Sequence, residues 1–528
     1  MPLTRRARKF RPPDGVWRSA LFAGCGGLAL ALAFPPWRLW PLVFVAWTPL
    51  WLMLAADQGR NRWRRAFFLG WAMGFCAFAA MLHWLLALSN EEVTIPGLMI
   101  PAVLLIGFYL GLFFGLASLF SSLLARWSRL PVLAVAPVVT TLLEFLRCIG
   151  PLGFPWGVPA YALARHPDLI QSASVGGCWG LVLLMLAVSA LLAAGVRGRR
   201  WGLPGAIALP ILLIGGGQLV LSAHPEGVVG PDRTLLRVCV AQPDIRREIK
   251  WRREKRQEVI ARVMRHAEAA LRRGREAGGF DLFVWPETVL PVRLLDDAPV
   301  RRRVWAFADT VGAPVLVGTQ EGYWGDVGGK RQWISHNSAL LAFADDRRSP
   351  VHRKMRLVPF SERMPLQKIA PWLGKFDFGQ SNFYPGEGPV LLDSGAMRAG
   401  CLICFESTFP DLARTFVRRG ANVLVVITND FWFGRTAGPD QHADMAILRA
   451  VENRTPVIRC ANTGISFLVD PWGRVSCETP LFTQADFVGP VAMGAGSFAS
   501  RHPRWVLKML ALGVLGAVAA GCRRGGRR

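Results

Sequence analysis

The sequence predicts a polytopic α-helical membrane domain, then an α/β domain, then a final membrane helix. Three observations carry this reading. Apolar runs of membrane-spanning length fill the first 221 residues, and one more lies near the C-terminus. Arginine and lysine cluster in alternate loops between those runs. From residue 234 the texture changes to short β-rich runs alternating with polar, helix-like segments.

The apolar runs lie near 18–34, 39–56, 66–88, 98–125, 130–147, 169–195, 203–221 and 505–521, giving about eight expected transmembrane helices. The chain has 528 residues, is 52% hydrophobic and carries a formal net charge of +26. Its mean hydropathy is +0.30. An apolar but basic chain fits a membrane protein with basic cytoplasmic loops, or a nucleic-acid binder. The placement of charge decides. Basic residues fall in the N-terminal arm (Arg5, Arg6, Arg8, Lys9, Arg11), in Arg60–Arg65, at Arg126 and Arg129, in Arg197–Arg200 and in Arg523–Arg528. The intervening loops are poorer in them, and one carries Glu91 and Glu92. The positive-inside rule then puts both termini in the cytoplasm and residues 222–503 outside. Nucleic acid would need one continuous basic face, whereas topology uses up much of the charge, so no nucleic-acid partner is expected. The first run follows a basic stretch and alone could be a signal peptide; the spans that follow make it a retained helix. The expected domains are therefore 1–221 (seven helices), 222–503 (the external domain) and 504–528 (the last helix and a basic cytoplasmic tail).

Ten cysteines are scattered without a disulfide framework or a paired zinc pattern. Cys401 and Cys404 form one lone CxxC, a weak redox or metal signal. The Gly/Pro-rich, aromatic loop 147–168 contains Phe154-Pro155-Trp156 and is expected to be external. It suits a substrate gate or an ordinary interfacial loop, and composition alone favours the latter.

In the external domain, Leu235–Ala241, Leu282–Trp285, Pro314–Gly318, Ala339–Phe343, Gly400–Phe405, Asn422–Thr428 and Phe467–Asp470 read as strands. Val259, Ile260, Val263, Met264, Ala267, Ala270 and Leu271 repeat at helical spacing, and further helices are expected at 299–311, 410–419 and 440–452. Alternating strands and helices predict a mixed α/β domain with buried strands.

Three segments there can carry chemistry. Strand Leu282–Trp285 runs into Pro286-Glu287, where a rigid, partly desolvated carboxylate suits a general base. Lys354 precedes Met355-Arg356-Leu357-Val358-Pro359-Phe360-Ser361-Glu362; a lysine near a thiol stabilises thiolate and oxyanion, and Glu362 could orient it. Apolar Cys401–Phe405 leads into Glu406-Ser407-Thr408-Phe409-Pro410 and a helical pattern. Ser407 or Thr408 can cap that helix, so Cys404 would sit just before a helix N-terminus whose dipole lowers the thiol pKa. Each segment also has a plain structural reading: an exposed glutamate in a turn, a basic surface loop, a buried apolar cysteine. Spacing alone does not join them into a triad.

Taken together, the strings around them resemble the nitrilase superfamily, and more closely its membrane branch, the apolipoprotein N-acyltransferases. The strings are Trp285-Pro286-Glu287-Thr288, Leu357-Val358-Pro359-Phe360, Cys404-Phe405-Glu406, Asn429-Asp430-Phe431-Trp432-Phe433-Gly434 followed by Gly438-Pro439 and Gln441-His442, and Arg459-Cys460-Ala461-Asn462-Thr463-Gly464-Ile465-Ser466 ending at Asp470-Pro471-Trp472-Gly473. Gln242-Pro243-Asp244-Ile245 and Lys250-Trp251 resemble the start of that domain. The resemblance implies a nitrilase-like αββα sandwich over about 236–475. It implies Glu287 as general base, Lys354 as oxyanion and thiolate stabiliser and Cys404 as nucleophile, with Glu362 and Glu406 supporting. Trp251, Trp432, Asn429 and Trp156 match positions associated with substrate. Two departures stand out: Phe405 replaces the usual Tyr, and Arg363 replaces an aromatic residue two places before Pro365.

The implied activity moves a fatty acyl chain from phospholipid, through a cysteine thioester, onto the N-terminal α-amine of a diacylated apolipoprotein. It needs no metal and no organic cofactor. It implies a monomeric, multi-pass protein of the bacterial inner membrane with a periplasmic catalytic domain. Two alternatives remain at this point. One is a membrane-tethered nitrilase-type amidase acting on a small amide. The other is a transporter with a non-catalytic external domain, which would want intramembrane ionisable residues along a path; His83, Glu144 and Lys508 lie near span ends.

Overall fold

The computed structural model describes residues 13, 15–57, 59, 62–87, 97, 99–225, 235–366, 372 and 381–525. Arg5, Arg6, Arg8, Lys9, Arg11, Arg60, Glu91, Glu92, Arg527 and Arg528, which carry part of the charge argument, lie outside the described residues. Two compact units form. One contains the described residues up to Val220 and from Arg504 onward; the other spans Leu221–Pro503.

The first unit is helical. Helices occupy Val16–Leu32, Thr48–Ala56, Arg62–Met81, Met99–Ser128, Val132–Arg147, Ala173–Val196, Gly202–Ser222 and Trp505–Gly525. Each expected apolar run thus holds a helix, and among the described residues four helices are long and apolar enough to cross a membrane: Met99–Ser128, Ala173–Val196, Gly202–Ser222 and Trp505–Arg523. Punctuation in the sequence shortens or bends several of the helices. The second run is split by Pro41 and Pro49 into a 3-10 turn, Trp40–Phe44, and a nine-residue helix. Gly177, at φ +64°, kinks Ala173–Val196. Small residues let helices touch: a Cβ on Gly27 would come within 2.1 Å of the Met73 carbonyl oxygen.

Glu144 and Arg147 form a buried ion pair at 2.7 Å. Arg147 also donates to the carbonyls of Phe154 (2.6 Å) and Trp156 (2.8 Å). The 147–157 loop is therefore pinned within this unit, with Trp156 buried between Phe154 and Trp84. The ionisable pair anchors a loop, which accounts for it without a transport path.

The second unit is a four-layer α/β sandwich. Its strands are β1 Leu235–Gln242, β2 Leu282–Val284, β3 Val315–Val327, β4 Lys330–Ala342, β5 His352–Arg353, β6 Leu391–Asp393, β7 Arg398–Ile403, β8 Val423–Thr428, β9 Val457–Ala461, β10 Phe467–Val469, β11 Val475–Ser476 and β12 Ala485–Ala492. They form two six-stranded sheets, ordered β12-β1-β2-β3-β4-β5 and β11-β10-β9-β8-β7-β6. The strands near each centre, β1-β2-β3 and β7-β8-β9, run parallel, and the outer pairs run antiparallel.

Alternation builds two kinds of core. Val238, Val240, Leu282, Val284, Leu316, Ala339 and Leu341 meet Ala399, Cys401, Ile403, Val425, Ile427, Ile458 and Cys460 between the sheets. Their sequence neighbours Cys239, Ala241, Phe283, Trp285, Val315, Val317 and Leu340 face outward, onto Val259, Ile260, Val263 and Ala267 of helix Arg256–Glu276 and Val304 and Ala308 of helix Ala298–Val311. On the far side, helices Pro410–Arg418 and Ala437–Asn453 cover the second sheet. Gly400 leaves room there for Phe416, whose Cβ a side chain would otherwise meet at 2.6 Å.

Several sequence expectations need correction. The expected strands at 314–318 and 339–343 are the buried ends of one long hairpin, β3–β4, whose polar outer half carries no apolar run. Strand β7 stops at Ile403, so Cys404 and Phe405 lie beyond it. Ser407 and Thr408 do not cap the following helix. Their hydroxyls donate back to the carbonyls of Cys404 and Phe405, at 2.9 and 2.7 Å, and Phe409 occupies the cap position. Strands β5, β6, β9, β11 and β12 are additional.

Candidate active site

Glu287 follows the end of β2 through Trp285-Pro286 and is 6% exposed. Strand β3 passes it at Gly318, where a Cβ would lie 2.7 Å from the Pro286 carbonyl oxygen and 2.8 Å from Glu287 Cα. Glycine is what lets the neighbouring strand approach. Glu287 Oε1 accepts a hydrogen bond from Asn337 Nδ2 on β4 (2.6 Å), and Oε2 accepts from the Asn429 backbone N–H beyond β8 (2.8 Å).

Lys354 follows the short strand β5 and is 1% exposed. Its Nζ donates to Glu362 Oε1 at 2.8 Å and lies 3.7 Å from Glu287 Oε1. Burial works against the ammonium, but Glu362, Cys404 and Glu287 outweigh it and hold the pKa above the usual lysine value. Glu362 is fixed in turn by the Val358 N–H at 2.9 Å.

Cys404 opens a 3-10 turn, Cys404–Thr408, with φ +54°. A left-handed backbone costs an L-residue ~1–2 kcal/mol, so its surroundings must hold it there. Glu406 does part of this. Its Oε2 accepts from Ile403 N–H (2.9 Å), and its Oε1 accepts from Met355 and Arg356 N–H (2.7 and 3.1 Å). The turn that carries Cys404 is thereby tied to the Lys354 segment. Burial opposes the Glu406 charge, yet neighbouring His352 and these N–H groups hold its carboxyl below the usual carboxylate range.

Burial and the Glu287 charge push the Cys404 thiol up, while Lys354 and a hydrogen bond with Thr428 pull it down; the net shift is upward. The sequence argument from a helix dipole expected the opposite. The sulfur rests as a thiol here, because desolvation and a facing carboxylate exceed the effect of one helix terminus. Glu287 is the carboxylate whose charge it feels most.

Hydrogen bonds and charge thus gather Glu287, Lys354, Cys404, Glu362, Glu406 and Asn429 at one end of the two sheets. Trp432 is half-exposed just after Asn429, with the Arg247 guanidinium 4.3 Å from its ring centre. Trp251 is also half-exposed, beside Lys250. Trp156 belongs to the helical unit. Phe405 packs edge-on against Phe409 at 5.0 Å. Arg363 lies 4.1 Å over the Tyr384 ring and donates to the Phe383 carbonyl.

Sequence reasoning gave no role to Asn337, Thr428 or His352, buried polar groups that contact the cluster. For Asn337 the available signal was its place just before the apolar run Ala339–Ala342 of β4. It also gave none to Lys250, which is 1% exposed with Nζ 3.4 Å from Thr288 Oγ1. Burial lowers its pKa to about 8 against the pull of Glu287. A lysine whose folded value lies below its unfolded value costs stability while it is protonated in both states. That cost is full below about pH 8 and is relieved as pH rises toward ~10.4. Lys250→Met is therefore expected to stabilise the protein at pH 7 by up to roughly 3 kcal/mol. The gain should shrink between pH 8 and 10. Thermal unfolding of both proteins in detergent across that range measures it, and a pH-independent difference would contradict it.

Residues 237–489 match the carbon-nitrogen hydrolase family. The second unit is thus a carbon-nitrogen hydrolase domain of nitrilase-like fold. Residues 26–191 match the apolipoprotein N-acyltransferase N-terminal domain. The chain is 34% identical over 511 residues to the apolipoprotein N-acyltransferase of Geobacter metallireducens, covering 94% of each chain. It is 32% identical over 502 residues to that of Rhodopseudomonas palustris, covering 91% of each. Among solved structures, Saccharomyces cerevisiae Nit3, of branch 10 of the nitrilase superfamily, aligns over 52% of this chain and 94% of its own, with 18% identity and a TM-score of 0.37. The chain belongs to the apolipoprotein N-acyltransferase family and is an acyltransferase.

Proposed function

We propose that this protein transfers a fatty acyl chain from phospholipid, through a thioester on Cys404, to the α-amine of the diacylglyceryl-cysteine at the N-terminus of an apolipoprotein. The observation that carries the reading is the gathering of Glu287, Lys354 and Cys404 in one cluster, in a chain of this family.

Glu287 takes the Cys404 proton, and the sulfur attacks the ester carbonyl of the donor lipid. The Lys354 ammonium and backbone N–H groups hold the tetrahedral oxyanion. The carbon–oxygen bond breaks, the leaving alkoxide takes the proton from Glu287, and lysophospholipid departs. The acceptor amine then attacks the thioester, Glu287 takes its proton, and the carbon–sulfur bond breaks to leave an amide. The thiolate recovers its proton from Glu287. Every step uses groups of this chain alone, so no cofactor is invoked.

Both proposed substrates are lipidic, which accounts for the extensive apolar part. The proposed topology has eight spans and both termini in the cytoplasm, with 1–221 and 504–528 in the bacterial inner membrane and 222–503 in the periplasm. The basic loops at Arg126, Arg129, Arg197, Arg199 and Arg200 support that orientation. One chain contains the whole catalytic cluster, so a monomer suffices.

The test supplies purified protein with diacyl phosphatidylethanolamine and a synthetic peptide bearing an N-terminal diacylglyceryl-cysteine. The expected result is peptide heavier by one acyl group, with matching lysophospholipid, and none when the phospholipid is omitted. Hydrolysis of propionamide without any peptide acylation would instead support the small-amide amidase.

A further inference from the structure

Behind Cys404 lies a second buried polar group set that the proposed chemistry does not use. His442, on helix Ala437–Asn453, is 1% exposed, as is Asp430; Arg459, on β9, is fully buried. His442 Nε2 lies 3.1 Å from the Cys404 carbonyl oxygen and 3.2 Å from Ser407 Oγ. The Ser407 hydroxyl itself donates to the Cys404 carbonyl. Nε2 therefore sits against two oxygens of the Cys404 turn. Nδ1 faces Asp430 Oδ1 at 2.9 Å. Asp430 is braced by Arg459 Nη2 at 2.6 Å and by Thr428 Oγ1 at 2.7 Å. Thr428 also hydrogen-bonds the Cys404 side chain. Gly464 keeps space for the pair, since a Cβ there would fall 2.3 Å from Asp430 Oδ2.

Both the carbonyl and the sulfur of Cys404 are thus led back to one buried carboxylate. We propose that His442 is a positioning residue for acyl-enzyme formation: its ring, anchored at Nδ1 by Asp430 and Arg459, sets Nε2 against the Cys404 carbonyl and the Ser407 hydroxyl and so keeps the nucleophile in its left-handed turn. Ligand atoms of Cys404, Asp430 and His442 also lie within 4.8 Å of one another, a spacing a metal could share. Arg459, Thr428 and His442 already occupy the Asp430 oxygens, and a guanidinium on the carboxylate disfavours a second cation there. The brace accounts for these contacts without a metal.

The inference rests on Cys404 being the nucleophile, and the experiment separates the two. A glutamine side chain carries its amide to about the reach of Nε2, whereas asparagine reaches only about as far as Nδ1. Acyl-enzyme formation is followed in single turnovers of full-length His442→Gln and His442→Asn with diacyl phosphatidylethanolamine, beside wild type and Cys404→Ala. Thermal unfolding confirms that each variant is folded. The expected result is a rate within about tenfold of wild type for Gln and roughly 100-fold or more below it for Asn. The phospholipid concentration for half-maximal rate should stay unchanged in both. Equal rates in the two variants, a wild-type rate in Asn, or a loss seen only as weaker lipid binding would overturn the role of His442. An adduct persisting in Cys404→Ala would instead overturn the nucleophile assignment.

Discussion

Cys404→Ala is expected to abolish acyl transfer, lowering the rate on the order of 10⁴-fold or more, because no other thiol occupies the site. Cys401 is the natural control. It lies three residues away, but it is fully buried in the core between the sheets. Burial and the Glu406 charge raise its pKa well above the usual thiol value. Cys401→Ala should therefore keep activity within a few-fold while losing some stability as a small cavity opens. Quantifying lipopeptide acylation and thermal unfolding for both variants tests the contrast. If Cys401→Ala were inactive and Cys404→Ala active, the nucleophile would be wrongly assigned.

Lys354→Met is expected to remove activity and destabilise the domain at once. The ammonium sits between Glu362 at 2.8 Å and Glu287 at 3.7 Å. Taking it away leaves two buried carboxylates facing each other, a loss of about 3–5 kcal/mol for breaking one side of a buried pair. It also removes the charge that lowers the thiol pKa and the donor for the oxyanion, the latter alone costing roughly 10²–10³ in rate. The double variant Lys354→Met/Glu362→Gln separates these effects. It should regain much of the melting temperature, because one surplus charge is gone, and none of the activity. Recovery of acyl transfer in the double variant would mean that Lys354 acts only as a structural counter-ion.

Much of this was legible in the sequence, for reasons that differ between parts. Hydrophobic runs and alternate basic loops mark the helical unit because membrane burial demands continuous apolarity. Apolarity alone does not reveal the break in one such run, 39–56, which forms a 3-10 turn and a nine-residue helix. Glu287, Lys354 and Cys404 were legible because each follows a strand, where short distinctive strings stand out. The contacts that make them a site were not. Asn429 and Glu287 are 142 residues apart, and Glu406 reaches Met355 across 51. No local period encodes such pairs. Lys250 reads as one more basic surface residue beside Arg246 and Arg247, and only the packed fold reveals its burial. The thiol pKa was misjudged because a helix terminus is visible in sequence, whereas desolvation and a facing carboxylate are not.

The most direct test of the central claim is the intact mass of purified protein after incubation with diacyl phosphatidylethanolamine alone. The account predicts a hydroxylamine-labile adduct of one acyl chain on Cys404 that is absent from Cys404→Ala. Folded wild-type protein in lipid that never acquires such an adduct would contradict transfer through a Cys404 thioester.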